Sequence, residues 1–355
     1  MTRAPGATGA SALIIAGGRG TRFWPASREA RPKPLFSIDG KTSLLADTIA
    51  RLSLAIPRER IFVLAAKVHH APFRRALRGW IPANNLILEP VARGTAVAIV
   101  YGAAMIRRRH GDGIIAVMPA DHLIAPAEGF RRTLAGAIQL ARQRDAIVVI
   151  GITPTRAESG YGYQKIGPRA GIGFKVEQFV EKPAQARAER MVRSGKYLWN
   201  AGMFVMPMQV LARELSEHCP SLANAAERLG AMPARKIGAF YRRLKFSSFD
   251  RELIEKSGNI FGVRASFSWH DVGSWDGLWA AVKDKSGNVL RGNVIAMDSE
   301  RVLAYSDSRL LALFGVSDLV VVDTGDAILV ARRERSQNIG RITEELQRRG
   351  LKRYL

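Results

Sequence analysis

The sequence predicts an α/β protein, with a mixed sheet flanked by helices and a small β-rich unit after it. Three observations lead there. Short apolar runs alternate with helical patterns through the first part of the chain, which is the signature of a largely parallel sheet covered on both faces. After Trp279 the texture changes to short β-type runs joined by Asp, Ser and Gly, which reads as a separate all-β unit. The chain of 355 residues, 47% of them apolar, is long enough to bury a large core and a second, smaller one.

The elements follow in order. Residues 1–10 are small and polar and read as a disordered tail. Leu13–Ala16 is a buried strand that stops at Gly17. Thr42–Leu54 is a helix capped by Thr42 or Ser43, Ile61–Ala66 a strand, His69–Arg78 a helix and Leu86–Leu88 a short strand. Ala92–Arg109 is a long helix, Ile114–Met118 a strand, Gly129–Gln143 a helix and Ile147–Ile152 another strand. The pattern then loosens. Tyr161–Ile166, Phe174–Val180 and Met203–Met206 read as strands, and Ala184–Ser194, Gln209–Glu217, Ser221–Leu229, Arg235–Leu244 and Phe249–Lys256 as helices. The β-rich unit comprises Gly292–Met297, Val302–Tyr305, Leu310–Phe314, Leu319–Asp323 and Ala327–Ala331, and a basic helix, Gln337–Arg349, closes the chain. These readings divide the protein into 11–285 and 286–355, with the boundary near Lys285–Asn288.

Composition excludes several classes. One cysteine, Cys219, rules out an internal disulfide framework and a four-cysteine zinc site, and suits a reducing cytoplasm. No apolar run approaches the roughly 20 residues of a membrane span, and no signal peptide is recognisable at the N-terminus. The net charge of +23 is the unusual feature. Its arginines (Arg74, Arg75 and Arg78; Arg107–Arg109; Arg131 and Arg132) are scattered over helix faces without interleaved aromatics. A solvated basic surface and a phosphate-rich substrate are therefore expected, with no specific nucleic-acid partner.

The polar motifs fall where the strands end, which is where ligands of such sheets gather. Gly17-Gly18-Arg19-Gly20-Thr21-Arg22 follows the first strand. Its glycines leave backbone N–H groups open to a polyanion, and Arg22, Arg28, Arg31 and Lys33 bring cations toward the same place, as a triphosphate cradle requires. A Walker loop would need Gly-Lys-Ser/Thr, and a dinucleotide fingerprint from Gly18 would need Gly where Phe23 stands. Glu89-Pro90-Val91-Ala92-Arg93-Gly94-Thr95 ends a strand and opens a helix, where Glu89 can accept from a base or ribose and Arg93 and Thr95 donate. Met118-Pro119-Ala120-Asp121-His122 presents an aspartate beside the phosphate loop, suited to Mg²⁺, with His122 read as structural. Trp269-His270-Asp271-Val272-Gly273-Ser274-Trp275 supplies a second carboxylate. Gly160-Tyr161-Gly162-Tyr163 suits a sugar ring. Glu181 and Lys182, in Phe179-Val180-Glu181-Lys182-Pro183, offer an acceptor and a cation, and Asn200, in Trp199-Asn200-Ala201-Gly202, both donates and accepts.

Taken in this order, the segments resemble the mannose-1-phosphate guanylyltransferases, a branch of the sugar-nucleotide pyrophosphorylases to which Phe23-Trp24-Pro25 and Ser27-Arg28 point. The resemblance runs from about Ser11 to the C-terminus. It implies a Rossmann-like (GT-A-like) nucleotidyltransferase domain and a small C-terminal β-helix-like domain. It also implies transfer of GMP from GTP to mannose 1-phosphate with Mg²⁺, or Mn²⁺, as cofactor. By the same resemblance, Gly17, Gly18, Gly20, Thr21 and Arg22 form the phosphate loop, and Lys33 is a catalytic cation. Glu89, Arg93 and Thr95 meet the nucleoside, Asp121 and Asp271 hold the metal, and Gly162, Glu181, Lys182 and Asn200 bind the sugar phosphate. A cytoplasmic enzyme, compatible with a homodimer, is the expectation. The chain departs from the usual letters at Gly94 (commonly Asn), Pro34 (Gln), Ala201 (Ser) and His270 (Ser), which touches nucleotide stringency rather than the metal carboxylates. A different sugar or base, a catalytically silent regulatory homologue and a nucleic-acid-binding module are the alternatives.

Overall fold

The computed structural model describes residues 9–18, 20–38 and 40–355. The expected N-terminal tail therefore lies outside the described residues except for Gly9 and Ala10, and Ala10 already pairs with Ile114. The first half alternates as β1 (Ala10–Ile15), α1 (Leu44–Ser53), β2 (Ile61–Ala66), α2 (His70–Ala76), β3 (Leu86–Glu89), α3 (Gly94–His110), β4 (Ile114–Pro119), the short β5 (Leu123–Ala125), α4 (Ala127–Arg144) and β6 (Ile147–Ile152). Then come β7 (Gly162–Ala170), β8 (Gly173–Glu181), α5 (Gln185–Arg193), β9 (Tyr197–Pro207), α6 (Met208–His218), α7 (Pro220–Ala231), α8 (Ala234–Tyr241), a π-helical segment at Asp250–Ile254, β10 (Ile260–Arg264), β11 (Ser268–His270) and α9 (Trp275–Val282). The remainder is β12 (Val289–Met297), β13 (Leu303–Phe314), β14 (Leu319–Asp323), β15 (Ile328–Arg332) and α10 (Gly340–Arg348).

Nine strands form the main sheet, in the order β3-β2-β1-β4-β9-β6-β10-β8-β7. The β3-β2-β1-β4 half is parallel, and β9 reverses direction against both β4 and β6, so the sheet is more mixed than strand–helix alternation alone implies. Strand period explains the two-faced core. Ala12 and Ile14, Ala116 and Met118, and Val148 and Ile150 point to one face, while Leu13, Ile115, Val117, Ile147 and Val149 point to the other. Because β1 to β4 run parallel, the loops after Ile15, Glu89 and Pro119 emerge along one rim.

Several elements differ from the sequence reading, each for a local reason. β9 is longer than Met203–Met206 and absorbs Trp199–Gly202, because it pairs with β4 at its C-terminal end and with β7 at its N-terminal end. The strands β5, β10 and β11 are too short or too interrupted to declare themselves. Phe249–Lys256 contains π-helical turns rather than an α-helix. The runs 302–305 and 310–314 are continuous in β13, and the final helix starts only at Gly340 because Arg333–Asn338 form a 3-10 turn.

The β-rich unit is a second sheet, β12-β13-β14-β15, parallel except for β15. On one side Val302, Ala304, Leu313 and Val321 form a small core of the unit's own, and the other side is shared. Val289, Leu303, Val320, Val322, Leu329 and Ile339 pack with Phe23, Trp24 and Phe36 from the segment after the phosphate loop and with Trp275 and Leu278 of α9. Trp275 is the centre of this cluster, 4.8 Å from the Phe23 ring and edge-on to Phe36 at 5.7 Å, and its Nε1 donates to Trp24 O at 3.1 Å. The Phe-Trp-Pro run thus anchors one unit to the other.

Candidate active site

β1 ends where its hydrogen bonds run out. Ala16 N–H donates to Leu64 O and Ala120 N–H to Ile15 O, after which the glycine loop begins. Gly20 has φ +57°, and a Cβ there would lie 2.3 Å from Ser27 Oγ, so only glycine fits. Thr21–Phe23 then form a 3-10 turn, closed by Phe23 N–H donating to Gly20 O, and Arg22 projects from it. Arg19 lies outside the described residues. Of the four cations expected here, two belong elsewhere. Arg28 forks onto Asp326 (2.6 and 2.8 Å) and Thr324, and Arg31 pairs with Asp307 at 2.9 Å, all in the β-rich unit. Reading these two as free phosphate cations is therefore corrected: both guanidiniums are tied to carboxylates of the β-rich unit, although Arg28 still lines a cleft with Gly18 and Thr21.

Lys33 and Arg22 remain. Lys33 Nζ donates to Asp121 Oδ2 at 2.6 Å, and the side chain is nearly buried over the Phe23 ring. Burial raises the Asp121 carboxyl, but the charge and hydrogen bond of Lys33 outweigh it and hold the group below the usual aspartate range. Asp271 arrives through an element that the sequence does not announce. The two-stranded ribbon β11-β5 aligns His270 opposite Leu123, so the chain leaving β11 runs beside Asp121 and His122. His122 Nδ1 accepts the Trp269 indole N–H at 3.0 Å, and burial lowers its pKa despite the attraction of both Asp121 and Asp271. The imidazole is thus a neutral acceptor that fastens the ribbon. Two carboxylates flanking a phosphate loop are the hard oxygen donors that Mg²⁺ or Mn²⁺ takes. Among the described residues no cluster of three or more His, Cys, Asp or Glu side chains is arranged to enclose a metal by itself.

The segment after β3 is more internally engaged than expected. Glu89 is 3% exposed, and its Oε1 accepts from Tyr241 OH (2.8 Å) and Arg93 N–H (3.2 Å). Burial raises its pKa, and those two donors offset part of the rise. Its Oε2 lies near Gly17, where a Cβ would be 3.9 Å away. The Arg93 guanidinium donates to Arg242 O, and Thr95 Oγ1 accepts from Phe249 N–H. Arg93 is thus turned toward protein, whereas Thr95 is exposed despite its bond to the Phe249 backbone. Gly94, at φ +85°, abuts Ser247 O, where a Cβ would approach to 2.7 Å. A side chain at this position would force that carbonyl to shift. The open ground lies in front of it: a cleft of about 340 Å³ lined by Gly18, Thr21, Lys67, Pro90, Val91 and Ala92.

On the opposite side, the ends of β7, β8 and β9 converge. A Cβ on Gly162 would lie 2.8 Å from Glu181 Oε2 and 3.3 Å from Asn200 Cβ. Lys182 Nζ is 3.4 Å from Glu181 Oε1. Asn200 is held at both ends, donating from Nδ2 to Asp250 Oδ1 at 2.8 Å and accepting Gly202 N–H at 3.1 Å. Gly162, Glu181, Lys182 and Asn200 thus meet in one cluster, and the fold adds Asp250 to them. Burial and the neighbouring Glu181 push the Asp250 carboxyl up to about 7. Nothing in the sequence around Asp250 marks it, since its role depends on a π-helical turn, a geometry common at functional sites.

Comparison with known proteins adds the following. A family model described as nucleotidyl transferase matches residues 11–287, and one described as a MannoseP isomerase/GMP-like beta-helix domain matches 292–346. A mannose-1-phosphate guanylyltransferase of Klebsiella pneumoniae is 36% identical over 356 residues, covering 96% of this chain and 75% of that protein. The xanthan biosynthesis protein XanB of Xanthomonas campestris pv. campestris is 36% identical over 349 residues, 95% of this chain and 73% of that one. A Thermus thermophilus crystal structure described as a mannose-1-phosphate geranyltransferase superposes with a TM-score of 0.88 at 35% identity, covering 95% of this chain and 99% of that one.

Proposed function

The chain belongs to the mannose-1-phosphate guanylyltransferase family of sugar-nucleotide pyrophosphorylases, and we propose that it transfers GMP from GTP to α-D-mannose 1-phosphate, giving GDP-mannose and pyrophosphate. Nucleotidyl transfer to a sugar 1-phosphate is the activity common to this family; guanine and mannose are the further step. The observation that carries the reading is the Lys33–Asp121 pair at the lip of the glycine loop, with the β5-β11 ribbon bringing in Asp271.

The reaction is one in-line displacement. A phosphate oxygen of the sugar phosphate forms a bond to the α-phosphorus of GTP, the bond from that phosphorus to the bridging oxygen of the β-phosphate breaks, and its electron pair leaves with pyrophosphate. The attacking oxygen is already an anion, so no general base is needed. The chain must instead hold two mutually repelling polyanions in line and stabilise the departing charge. Backbone N–H groups of the glycine loop and the cations of Arg22 and Lys33 take the β- and γ-phosphates. Lys182 draws in the attacking phosphate, while Glu181 and Asn200, the latter fixed by Asp250, accept and donate to sugar hydroxyls. Asp121 and Asp271 would hold Mg²⁺ or Mn²⁺, which when bound would supply positive charge to offset the repulsion of the two substrates' phosphates.

Pyrophosphate release over a matrix of four nucleoside triphosphates and several sugar 1-phosphates tests the reading. GTP with mannose 1-phosphate should give the highest kcat/KM, and a clear maximum at another pair would replace guanine or mannose in it. No helix among the described residues is long and apolar enough to cross a membrane.

A further inference from the structure

We propose that Gln337, contributed by the β-rich unit, is a positioning residue for nucleotidyl transfer: its amide clamps the phosphate-binding Arg22 to the loop that carries Asp271. The proposal rests on the roles given above to Arg22 and Asp271.

Both ends of the amide are engaged. Gln337 Oε1 accepts from Arg22 Nη1 at 2.9 Å, and Nε2 donates to Ser274 Oγ at 3.2 Å. A guanidinium has donors only, so the carbonyl end must face Arg22, and the orientation of the amide follows from its partners. Ser274 lies three residues beyond Asp271 and is the N-cap of α9, its Oγ accepting Gly277 N–H at 3.2 Å. One side chain therefore bridges the phosphate loop and the base of the Asp271 loop.

Its own backbone is fixed. The 3-10 turn Arg333–Asn338 docks on α9 through Ser336 Oγ, which accepts Asp276 N–H, and through Arg333, stacked 3.5 Å from the Trp279 ring centroid. Immediately after the turn, Ile339 enters the shared core, and Gly340 sits so close to Thr21 that a Cβ would lie 3.2 Å from Thr21 Oγ1. The β-rich unit thus reaches the phosphate loop at two neighbouring points.

The chemistry of the clamp is specific. An arginine on an exposed turn samples many rotamers, and ordering it on binding a phosphate costs affinity; a preformed bond removes part of that cost. A neutral amide does this without cancelling the charge. It occupies one of five guanidinium N–H groups and leaves the others for phosphate oxygens. A carboxylate at the same place would hold Arg22 equally well and neutralise it.

The test uses the full chain and inorganic pyrophosphate, with affinity measured by calorimetry in the presence of Mg²⁺. Gln337→Ala should weaken pyrophosphate binding about 5- to 10-fold, less than the worth of a charge-assisted hydrogen bond because the lost bond orders Arg22 rather than holding the anion, and Gln337→Glu should weaken it more. In an Arg22→Ala background the Gln337→Ala change should alter affinity less than about 2-fold, because the group it positions is gone. KM for the sugar phosphate should stay within about 2-fold in each Gln337 variant, since Lys182 and Asn200 lie on the other side of the site. Unchanged pyrophosphate affinity in correctly melting Gln337→Ala and Gln337→Glu variants, or the same loss with and without Arg22, would overturn the proposal. Turnover of the unaltered chain on GTP and mannose 1-phosphate separates this outcome from failure of the functional reading, because pyrophosphate affinity does not depend on base or sugar.

Discussion

Lys33→Ala perturbs activity and stability together, with a pH signature that identifies the cause. Lysine in a glycine- and proline-rich loop ordinarily contributes little to folding, but Lys33 is 8% exposed and bonded at 2.6 Å to an Asp121 carboxylate whose side chain is 31% accessible. Removing one partner of a fully buried pair costs about 3–5 kcal/mol, and the accessible third of Asp121 reduces this to roughly 1–3 kcal/mol. In the unaltered chain the Asp121 pKa lies below its ordinary 3.8, so its stabilising contribution is fully present above that value and is lost as pH falls through the lower folded value. Lys33→Ala removes the main influence that lowers the carboxyl's pKa and leaves burial, which raises it, opposed by His122 and a backbone hydrogen bond. The destabilisation should then be largest at neutral pH and fade as the carboxyl protonates in acid. Thermal melts at pH 7 and near pH 4.5, read beside pyrophosphate release, check this. We expect a lowered melting temperature at pH 7, a narrower gap in acid, and kcat reduced by a factor on the order of 10²–10³. Adding Asp121→Asn should recover much of the stability at pH 7 and none of the activity. Near-normal turnover, or a double variant no more stable than Lys33→Ala, would refute the reasoning.

Two further outcomes follow from groups placed by the fold. Burial beside Glu181 pushes Asp250 up to about 7, so its ionisation opposes folding as pH rises from its unfolded value of 3.8 through 7. Asp250→Asn should therefore raise the melting temperature more at pH 8 than at pH 5; an equal effect at both pH values would contradict the raised pKa. Arg28→Ala removes the fork onto Asp326 and the bond to Thr324, and should destabilise the chain by roughly 1–2 kcal/mol while leaving KM for GTP within about 2-fold. A large rise in that KM would return Arg28 to the phosphate site.

How much was legible in the sequence depended on how far apart the partners lie. Gly17–Gly20, Glu89 and Asp121 were readable because each ends a short apolar run, and the ends of parallel strands share a rim. The ribbon that delivers Asp271 was not readable: β5 and β11 have three residues each, too few for a period-2 pattern, and they pair only because β11 returns from far along the chain. Local company alone points Arg28 and Arg31 to phosphate, whereas their carboxylate partners are in the β-rich unit. Phe23 and Trp24 belong to a resemblance in the sequence, but their physical purpose, anchoring the phosphate segment against Trp275 and the second sheet, needed the shared core. Asp250 and Gln337 escaped for the same reason, each acting on a residue brought near by the fold rather than by spacing.

Under the proposed function, Asp121 and Asp271, in loops that follow separate strands, would serve one divalent cation at the phosphate loop. The direct measurement is kcat for Asp121→Asn, Asp271→Asn and the double variant across a Mg²⁺ titration. If both carboxylates act on one metal, each single change should cripple turnover and raise the Mg²⁺ concentration for half-maximal rate, and the double should cost little beyond the worse single. Losses that multiply in the double variant, or an Asp271→Asn enzyme with unaltered Mg²⁺ dependence, would contradict the account.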